Sequence, residues 1–157
     1  MKRQKVLFLK QNYILRILKN FMFAGLFAIA HCGLDLGFPE SPMTCGPAQI
    51  AALMRAVPGL VFIAGHLGGC GGNPPHATDE LLEFPGCYID SAVISVCDDD
   101  PESQRVMAEW PADRMVFGTD YFWRDAKKLA DWARRYRPDS DDQRKIFCGN
   151  AHKLLGL

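Results

Sequence analysis

Four short apolar runs, each ending in a polar residue, constrain the fold of this chain more than any other feature of its sequence. The runs cover residues 25–30, 60–64, 88–89 and 115–117. The polar residues at their ends are His31, His66, Asp90 and Asp120. They lie 35, 24 and 30 residues apart, and a strand–helix–strand unit takes about 30 residues. The spacing therefore predicts four consecutive parallel β/α units.

The segments between the runs have the pattern of helices that cover such a sheet. Pro47 suits the first turn of a helix, and apolar residues recur on one helical face from Ile50 to Val57. Two further helices are expected to close the chain. The sequence Ser140-Asp141-Asp142-Gln143 has the form of a capping box, which predicts Ser140 as the cap of the last helix.

Length and charge exclude several classes of protein. At 157 residues the chain is too short for a complete barrel of eight β/α units, which takes about 200–250. Lys+Arg and Asp+Glu both number 18, so the formal net charge is zero. This balance argues against broad attraction to nucleic acid or to an acidic membrane. The hydrophobic share of 48% is enough for a core and excludes a wholly disordered chain.

The first thirty residues allow two interpretations. Residues 1–20 contain basic side chains and no acidic one, and an apolar run ends at Ala28-x-Ala30. This is the outline of a secretory signal. We favour a core strand that ends at His31, and hence a cytoplasmic protein, with export as the alternative.

The six cysteines stand at positions 32, 45, 70, 87, 97 and 148, and no two are spaced C-x-x-C. That spacing argues against a zinc ribbon or a thioredoxin-type motif. An even number of cysteines permits disulfides if the chain is exported. A secreted α/β protein with paired cysteines is therefore a third, lesser interpretation.

The polar residues at the strand ends suit metal chemistry. Parallel strands gather their carboxyl ends on one face, where ligands bind. Imidazole and carboxylate groups are ligands for Zn²⁺, and a bound metal lowers the pKa of its water to about 7. His31, His66 and Asp120 are therefore candidates for one metal centre. The Gly-rich stretch 65–72 lacks the Lys of a phosphate-binding loop, and we interpret it as a sharp turn.

Five segments, which follow one another in the expected order along the chain, resemble a known family. They are residues 30–39 (AHCGLDLGFP), 58–69 (PGLVFIAGHLGG), 88–92 (YIDSA), 113–123 (DRMVFGTDYFW) and 149–155 (GNAHKLL). Together they resemble the amidohydrolase-related, metal-dependent hydrolases of the TIM-barrel fold. The resemblance extends over residues 22–157, whereas residues 1–21 form a basic and apolar segment without a match.

The resemblance implies the α/β fold of a partial (β/α)₈ barrel, with strands five to eight followed by C-terminal helices. It implies that His31, His66 and Asp120 hold a divalent metal, Zn²⁺ in the first place with Mn²⁺ as the alternative. Asp120 and His66 would be the catalytic groups, and Asp120 would move the proton of the attacking water. By the same resemblance, Asp35, Asp90 and Trp123 are candidates for binding the substrate or supporting the site.

The family hydrolyses C–N and C–O bonds or decarboxylates aromatic acids without oxidation, so the expected partner is a small-molecule substrate. The family's first strand carries an H-x-H metal pair, and this chain contains no H-x-H. We therefore expect a truncated, half-barrel form of the enzyme. The alternative is a non-catalytic half-barrel or interaction module without metal. Exposed strand edges in a half barrel also predict a homo-oligomer.

Overall fold

A computed structural model describes residues 2–33, 45–69, 74–93 and 98–157, with side chains from residue 13 onward. The helices are α1 (Lys2–Phe23), α2 (Pro47–Ala56), α3 (Pro101–Glu109), α4 (Ala126–Tyr136), α5 (Ser140–Arg144) and α6 (Asn150–Leu155). Ala77–Glu83 and Ala112–Arg114 are 3₁₀ turns, and Lys145–Gly149 is a π-helical turn between α5 and α6. The strands are β1 (Phe27–Ala30), β2 (Val61–Ala64), β3 (Cys87–Asp90) and β4 (Met115–Val116).

The four strands form one parallel sheet in the order β1-β2-β3-β4. The register aligns Ala30 with Ala64, Ala64 with Ile89, and Asp90 with Val116. Each predicted apolar run thus overlaps a strand, and the strands are neighbours in the order of the sequence. The prediction of four consecutive parallel β/α units is confirmed.

The face of the sheet that packs against the helices contains the main core. Because side chains alternate along a strand, Phe62, Cys87, Ile89 and Met115 share this face, and all four are buried. Ile50 of α2 packs into the same cluster. Burial of such side chains is the dominant favourable term in folding.

The opposite face of the sheet carries a second, smaller apolar cluster. Ile63, Tyr88 and Val116 are buried there, and Leu154 of α6 packs against them. Ile29 of β1 lies on the same face by alternation but is 62% exposed. The inner face is therefore covered at Ile63, Tyr88 and Val116 and exposed at Ile29, while Phe27 and Val61 are partly buried beside the cluster.

Helix α1, which the sequence analysis did not predict, packs onto the main core. Leu18 is buried in the core, and Phe21 and Met22 pack beside it. The helix ends at Phe23, and Gly25 adopts a φ of 68° in the turn that leads to β1. Among the described residues, no helix is long and apolar enough to cross a membrane.

The C-terminal helical region is hydrogen-bonded to the last strand of the sheet and to the turn before it. The Asn150 side chain is buried and donates hydrogen bonds to the carbonyl oxygens of Ala112, at 2.7 Å, and Met115, at 2.6 Å. The predicted cap of α5 was wrong by one residue: Asp139 accepts the backbone N–H of Asp142 at 2.9 Å. Its carboxylate is a good cap, and this places Ser140 inside the helix.

Candidate functional site

Two histidines meet at the carboxyl ends of the first two strands. His31 directly follows β1, and one residue, Gly65, separates His66 from the end of β2. His31 Nδ1 and His66 Nε2 are 2.8 Å apart, and the rings lie edge to face with centroids 4.5 Å apart. The register of β1 and β2 explains the contact, because Ala30 and Ala64 are paired neighbours.

The contacts of His66 indicate which ring nitrogens of the two histidines carry a proton. His66 Nδ1 faces the carbonyl oxygen of Ala92, and a carbonyl can only accept, so Nδ1 carries the proton. In the neutral ring Nε2 then has the lone pair and accepts from His31 Nδ1. His31 in turn presents its lone pair at Nε2, and its side chain is exposed. The outermost basic nitrogen of the pair is thus His31 Nε2.

Asp90 at the end of β3 holds the backbone around this pair. Its Oδ1 accepts the backbone N–H of His66 at 2.8 Å and that of Ala92 at 3.0 Å. Burial raises the pKa of the Asp90 carboxyl, the two N–H donors lower it, and the charge of Asp120 raises it further. Asp90 therefore fixes both backbone segments that position the His66 ring.

The turn after β2 follows an unusual backbone path. His66 and Leu67 have φ values of 58° and 52°, in the left-handed region that non-glycine residues rarely adopt. At Gly65 a Cβ atom would lie 2.8 Å from the carbonyl oxygen of Ala30. A glycine is required here because the turn passes so close to β1. Left-handed residues cost of order 1–3 kcal/mol each and cluster at functional sites.

Asp120 and Trp123 lie in the segment after β4. Asp120 also has a positive φ, 52°, and its carbonyl oxygen accepts the backbone N–H of Trp123 at 2.8 Å. The side chains of Tyr121, Phe122 and Trp123 are 72%, 86% and 75% exposed. This leaves three aromatic rings on the surface beside Asp120. Asp35 lies outside the described residues.

Arg124 joins the loops after β3 and β4, a role that the sequence analysis missed. Its side chain is buried, and Nη1 donates to the carbonyl oxygen of Val93 at 3.0 Å. Nη2 lies 2.6 Å from Asp98 Oδ1 in an ion pair without an aligned hydrogen bond, and the guanidinium lies over the Trp132 ring. In the sequence, Arg124 simply follows three aromatic residues. Nothing in that pattern indicates that its side chain connects two loops.

A second unpredicted pair lies directly beside His31. Cys32 is 1% exposed, and its thiol donates to Cys45 Sγ at 3.8 Å. This hydrogen bond lowers the pKa of Cys45 to about 7, and together with burial it raises the pKa of Cys32. The backbone N–H of Gly33 donates to the carbonyl oxygen of Cys45 at 2.8 Å. The two cysteines thus join the end of β1 to the start of α2.

The histidine pair alone has too few ligands for a metal centre. Within the described ranges, no three His, Cys, Asp or Glu side chains are arranged to hold a metal ion. A catalytic zinc site ordinarily uses three protein ligands, whereas here two ring nitrogens face each other as hydrogen-bond partners. The described residues therefore do not by themselves fit a complete centre.

The fold resembles solved TIM-barrel structures, and the chain spans about half of their length. An uncharacterised TIM-barrel protein from Bordetella bronchiseptica matches with a TM-score of 0.69 at 20% identity, over 90% of this chain and 49% of that one. A putative 2-pyrone-4,6-dicarboxylic acid hydrolase from Pseudomonas putida gives 0.64 at 16%, over 88% and 55%. A 2,6-dihydroxybenzoate decarboxylase from Rhizobium gives 0.52 at 19%, over 82% and 50%.

These likenesses define the class: four consecutive β/α units of a (β/α)₈ barrel with candidate site residues at the carboxyl ends of the strands. The predicted partial barrel is confirmed. The sequence model of the amidohydrolase family matches residues 13–157, so the chain belongs to the amidohydrolase family, as its motifs indicated. No curated protein matches it.

Proposed function

We propose that this chain forms part of the active site of an amidohydrolase-type enzyme. In this proposal a divalent metal, Zn²⁺ or Mn²⁺, activates water for attack on a C–N or C–O bond, or assists a related non-oxidative decarboxylation. The observation that carries the proposal is the 2.8 Å contact between His31 Nδ1 and His66 Nε2. Two imidazoles converge where a barrel of this family would bind its ligand.

The residues have separate roles in the proposal. His31 offers a lone pair at Nε2, and His66 orients that ring through its own Nε2. Asp90 positions His66 by accepting its backbone N–H. Asp120 moves the proton of the attacking water, and Trp123 contributes an apolar surface for the substrate. Asp120 is the further candidate ligand among the described residues, and any other ligand would come from outside them, since two histidines do not complete a centre.

Metal binding tests this function directly. The purified chain is stripped with chelator, dialysed against Zn²⁺ or Mn²⁺, and its metal content measured. We expect near-stoichiometric metal, lost in His31→Gln and in His66→Gln. His152→Gln is the matched control, because His152 is an exposed histidine of α6.

Two outcomes would contradict the proposal. Metal that persists in both His31→Gln and His66→Gln would show that it binds elsewhere. A folded wild-type chain that takes up no metal would favour the non-catalytic half-barrel. For a metal-binding chain, CO₂ release from aromatic acids distinguishes decarboxylation from hydrolysis.

We also propose that a second copy of the chain covers the open edge of the sheet. Among described strands, β1 pairs only with β2, and Ile29 of β1 is 62% exposed on the inner face. A two-fold axis along the strands would bring β4 of one copy beside β1 of the other in parallel orientation. Two four-stranded halves then supply the eight strands of a closed barrel, which has no edges.

Sedimentation equilibrium measures this association. We expect the wild-type chain to form dimers and Ile29→Lys to shift the population to monomers that remain folded. Leu82→Lys is the control, because Leu82 is also an exposed apolar residue, at 40%, but lies on a 3₁₀ turn. A monomeric wild-type chain, or equal effects of both substitutions, would overturn the proposal.

A further inference from the structure

The cysteine pair beside His31 has the geometry of a site for thiol–disulfide exchange. Cys32 Sγ and Cys45 Sγ are 3.8 Å apart, against about 2.05 Å in a disulfide. The sulfur atoms need to approach by less than about 2 Å, which side-chain rotation can supply. The backbone is already joined at this point by the 2.8 Å hydrogen bond from Gly33 N to Cys45 O.

The other described cysteines lack this arrangement. Cys87 is fully buried in β3, and its sulfur faces the carbonyl oxygen of Tyr88 at 3.9 Å. Cys148 is exposed on the π-helical turn and lies 3.5 Å from His152 Nε2. Within the described part of the chain, only Cys32 and Cys45 bring two sulfur atoms together.

We propose that Cys32 and Cys45 form a redox-active dithiol that reacts with a low-molecular-weight disulfide and closes to an intramolecular disulfide beside His31. The assignment does not depend on the proposed hydrolytic or decarboxylating function. Such reversible disulfides are compatible with a reducing compartment, where they are transient or redox-sensing.

Exposure sets the order of the two steps. Cys45 is half-buried and accessible, whereas Cys32 is 1% exposed. The Cys45 sulfur attacks one sulfur of the external disulfide, forms a mixed disulfide and releases the first thiol. The Cys32 sulfur then attacks the Cys45 sulfur, which forms the internal bond and releases the second thiol. Two protein thiols are oxidised and one disulfide is reduced to two thiols, so electrons and protons balance.

The internal disulfide would close the segment 33–44 into a covalent loop between β1 and α2. The loop is anchored at Cys32, which directly follows His31. A cross-link of this length restricts the unfolded chain, and for a protein of this size it raises the melting temperature by about 5–10 °C. Oxidation would thus stiffen the backbone that presents one histidine of the pair.

Peptide mapping tests the proposal on the intact chain. Trypsin cleaves after Lys19 and Arg55, so Cys32 and Cys45 share one peptide, while Cys70, Cys87 and Cys97 share the next. Reduced protein is treated with oxidised glutathione, alkylated, digested and weighed by mass spectrometry. We expect the 20–55 peptide to lose two hydrogen atoms and to carry neither alkyl groups nor glutathione.

Variants separate the two steps. Cys32→Ser is expected to stop at the mixed disulfide, with glutathione retained on Cys45. Cys45→Ser is expected to leave Cys32 free, since the buried thiol does not reach an external disulfide. Cys87→Ser is the control and should give the wild-type product on the 20–55 peptide.

If a variant fails to fold, the tryptic peptide map of the wild-type chain can still overturn the proposal. Glutathione retained on Cys45 of the wild-type chain would exclude ring closure. A 20–55 peptide linked to the Cys70-containing peptide would show a different pairing. Both thiols left free at a glutathione ratio that oxidises reference dithiols would show that the pair is inert.

Discussion

The carboxylate of Asp90 accepts the backbone N–H of His66 at 2.8 Å, so a residue of β3 fixes the turn that follows β2. The same oxygen accepts the N–H of Ala92, whose carbonyl oxygen faces the His66 ring. One buried carboxylate therefore controls both the backbone and the imidazole of His66. The position of His31 depends on it in turn, because His31 bonds to His66.

Replacement of Asp90 by alanine is expected to lower the free energy of unfolding by about 2–4 kcal/mol. The substitution leaves two buried N–H groups without an acceptor, at about 1–3 kcal/mol each. Asp90→Asn keeps an oxygen acceptor and should recover most of the loss. Chemical denaturation measures the stability, and ¹⁵N shifts of the imidazoles report the His31–His66 bond, which Asp90→Ala should break. Equal stability of the alanine variant and the wild-type protein would contradict this account.

Gly65→Ala is expected to destabilise the protein by about 1–3 kcal/mol. The added methyl group would meet the carbonyl oxygen of Ala30 at 2.8 Å, and that oxygen belongs to a strand that cannot move alone. Gly149→Ala is the control, since Gly149 has helical angles and an added Cβ meets nothing closer than 3.4 Å. Thermal melts of both variants check the prediction; a Gly65→Ala protein as stable as Gly149→Ala would refute the close approach.

The buried guanidinium of Arg137 should be worth about 3 kcal/mol of stability. It donates to the carbonyl oxygens of Met107, at 2.5 Å, and of Trp110, which end helix α3. Arg137→Met removes both donors and leaves buried carbonyl groups unsatisfied. Arg135 is exposed in the last turn of α4, just before Arg137, and Arg135→Met should change stability by less than about 0.5 kcal/mol. Urea denaturation compares the two variants, and similar losses in both would contradict the prediction.

The buried thiol of Cys87 predicts a loss of stability in alkaline solution. Burial raises its pKa from 9.0 to about 12 in the folded protein. Between these values the unfolded chain releases the proton and the folded chain keeps it, so stability falls as the pH rises from 9 towards 12. Cys87→Ala should show a shallower fall than the wild-type protein in denaturation curves across that range.

Alkylation provides an independent check on Cys87. In the folded protein iodoacetamide should label the exposed Cys148 at least about 100-fold faster than Cys87, because reaction requires an accessible thiolate. Denaturation should abolish the difference. Fast labelling of Cys87 in the native state would show that β3 is not closed around it.

The sequence predicted the sheet well because its signals are local. Each strand is an apolar run that stops at a polar residue, as at Ala30 and His31, and strands of consecutive β/α units pair in order. The same logic predicted that residues at neighbouring strand ends lie close together, which His31 and His66 do. The assignment of their chemical roles, and those of Asp120 and Trp123, stays a prediction.

The missed features depend on contacts between distant parts of the chain. The carbonyl oxygen of Ala92 has no side-chain signature, yet it sets the tautomer of His66. Cys32 and Cys45 showed no motif spacing, and their proximity is visible only in the structure, where Gly33 N donates to Cys45 O beside them. Even the cap of α5 was misplaced by one residue, since Asp139 and Ser140 are both good caps and only the backbone decides.

Side chains on the inner face of the sheet are buried to different extents, and this difference affects which strand detaches first in local unfolding. Ile63, Tyr88 and Val116 are less than a tenth exposed, but Ile29 on the flanking strand is 62% exposed. Strands with few buried contacts detach at lower free energy than the global unfolding of the domain. In the monomeric chain, amide hydrogen exchange should therefore begin at β1 and reach β3 last. Since His31 directly follows β1, transient detachment of this one strand would separate the two imidazoles while the rest of the sheet stays folded.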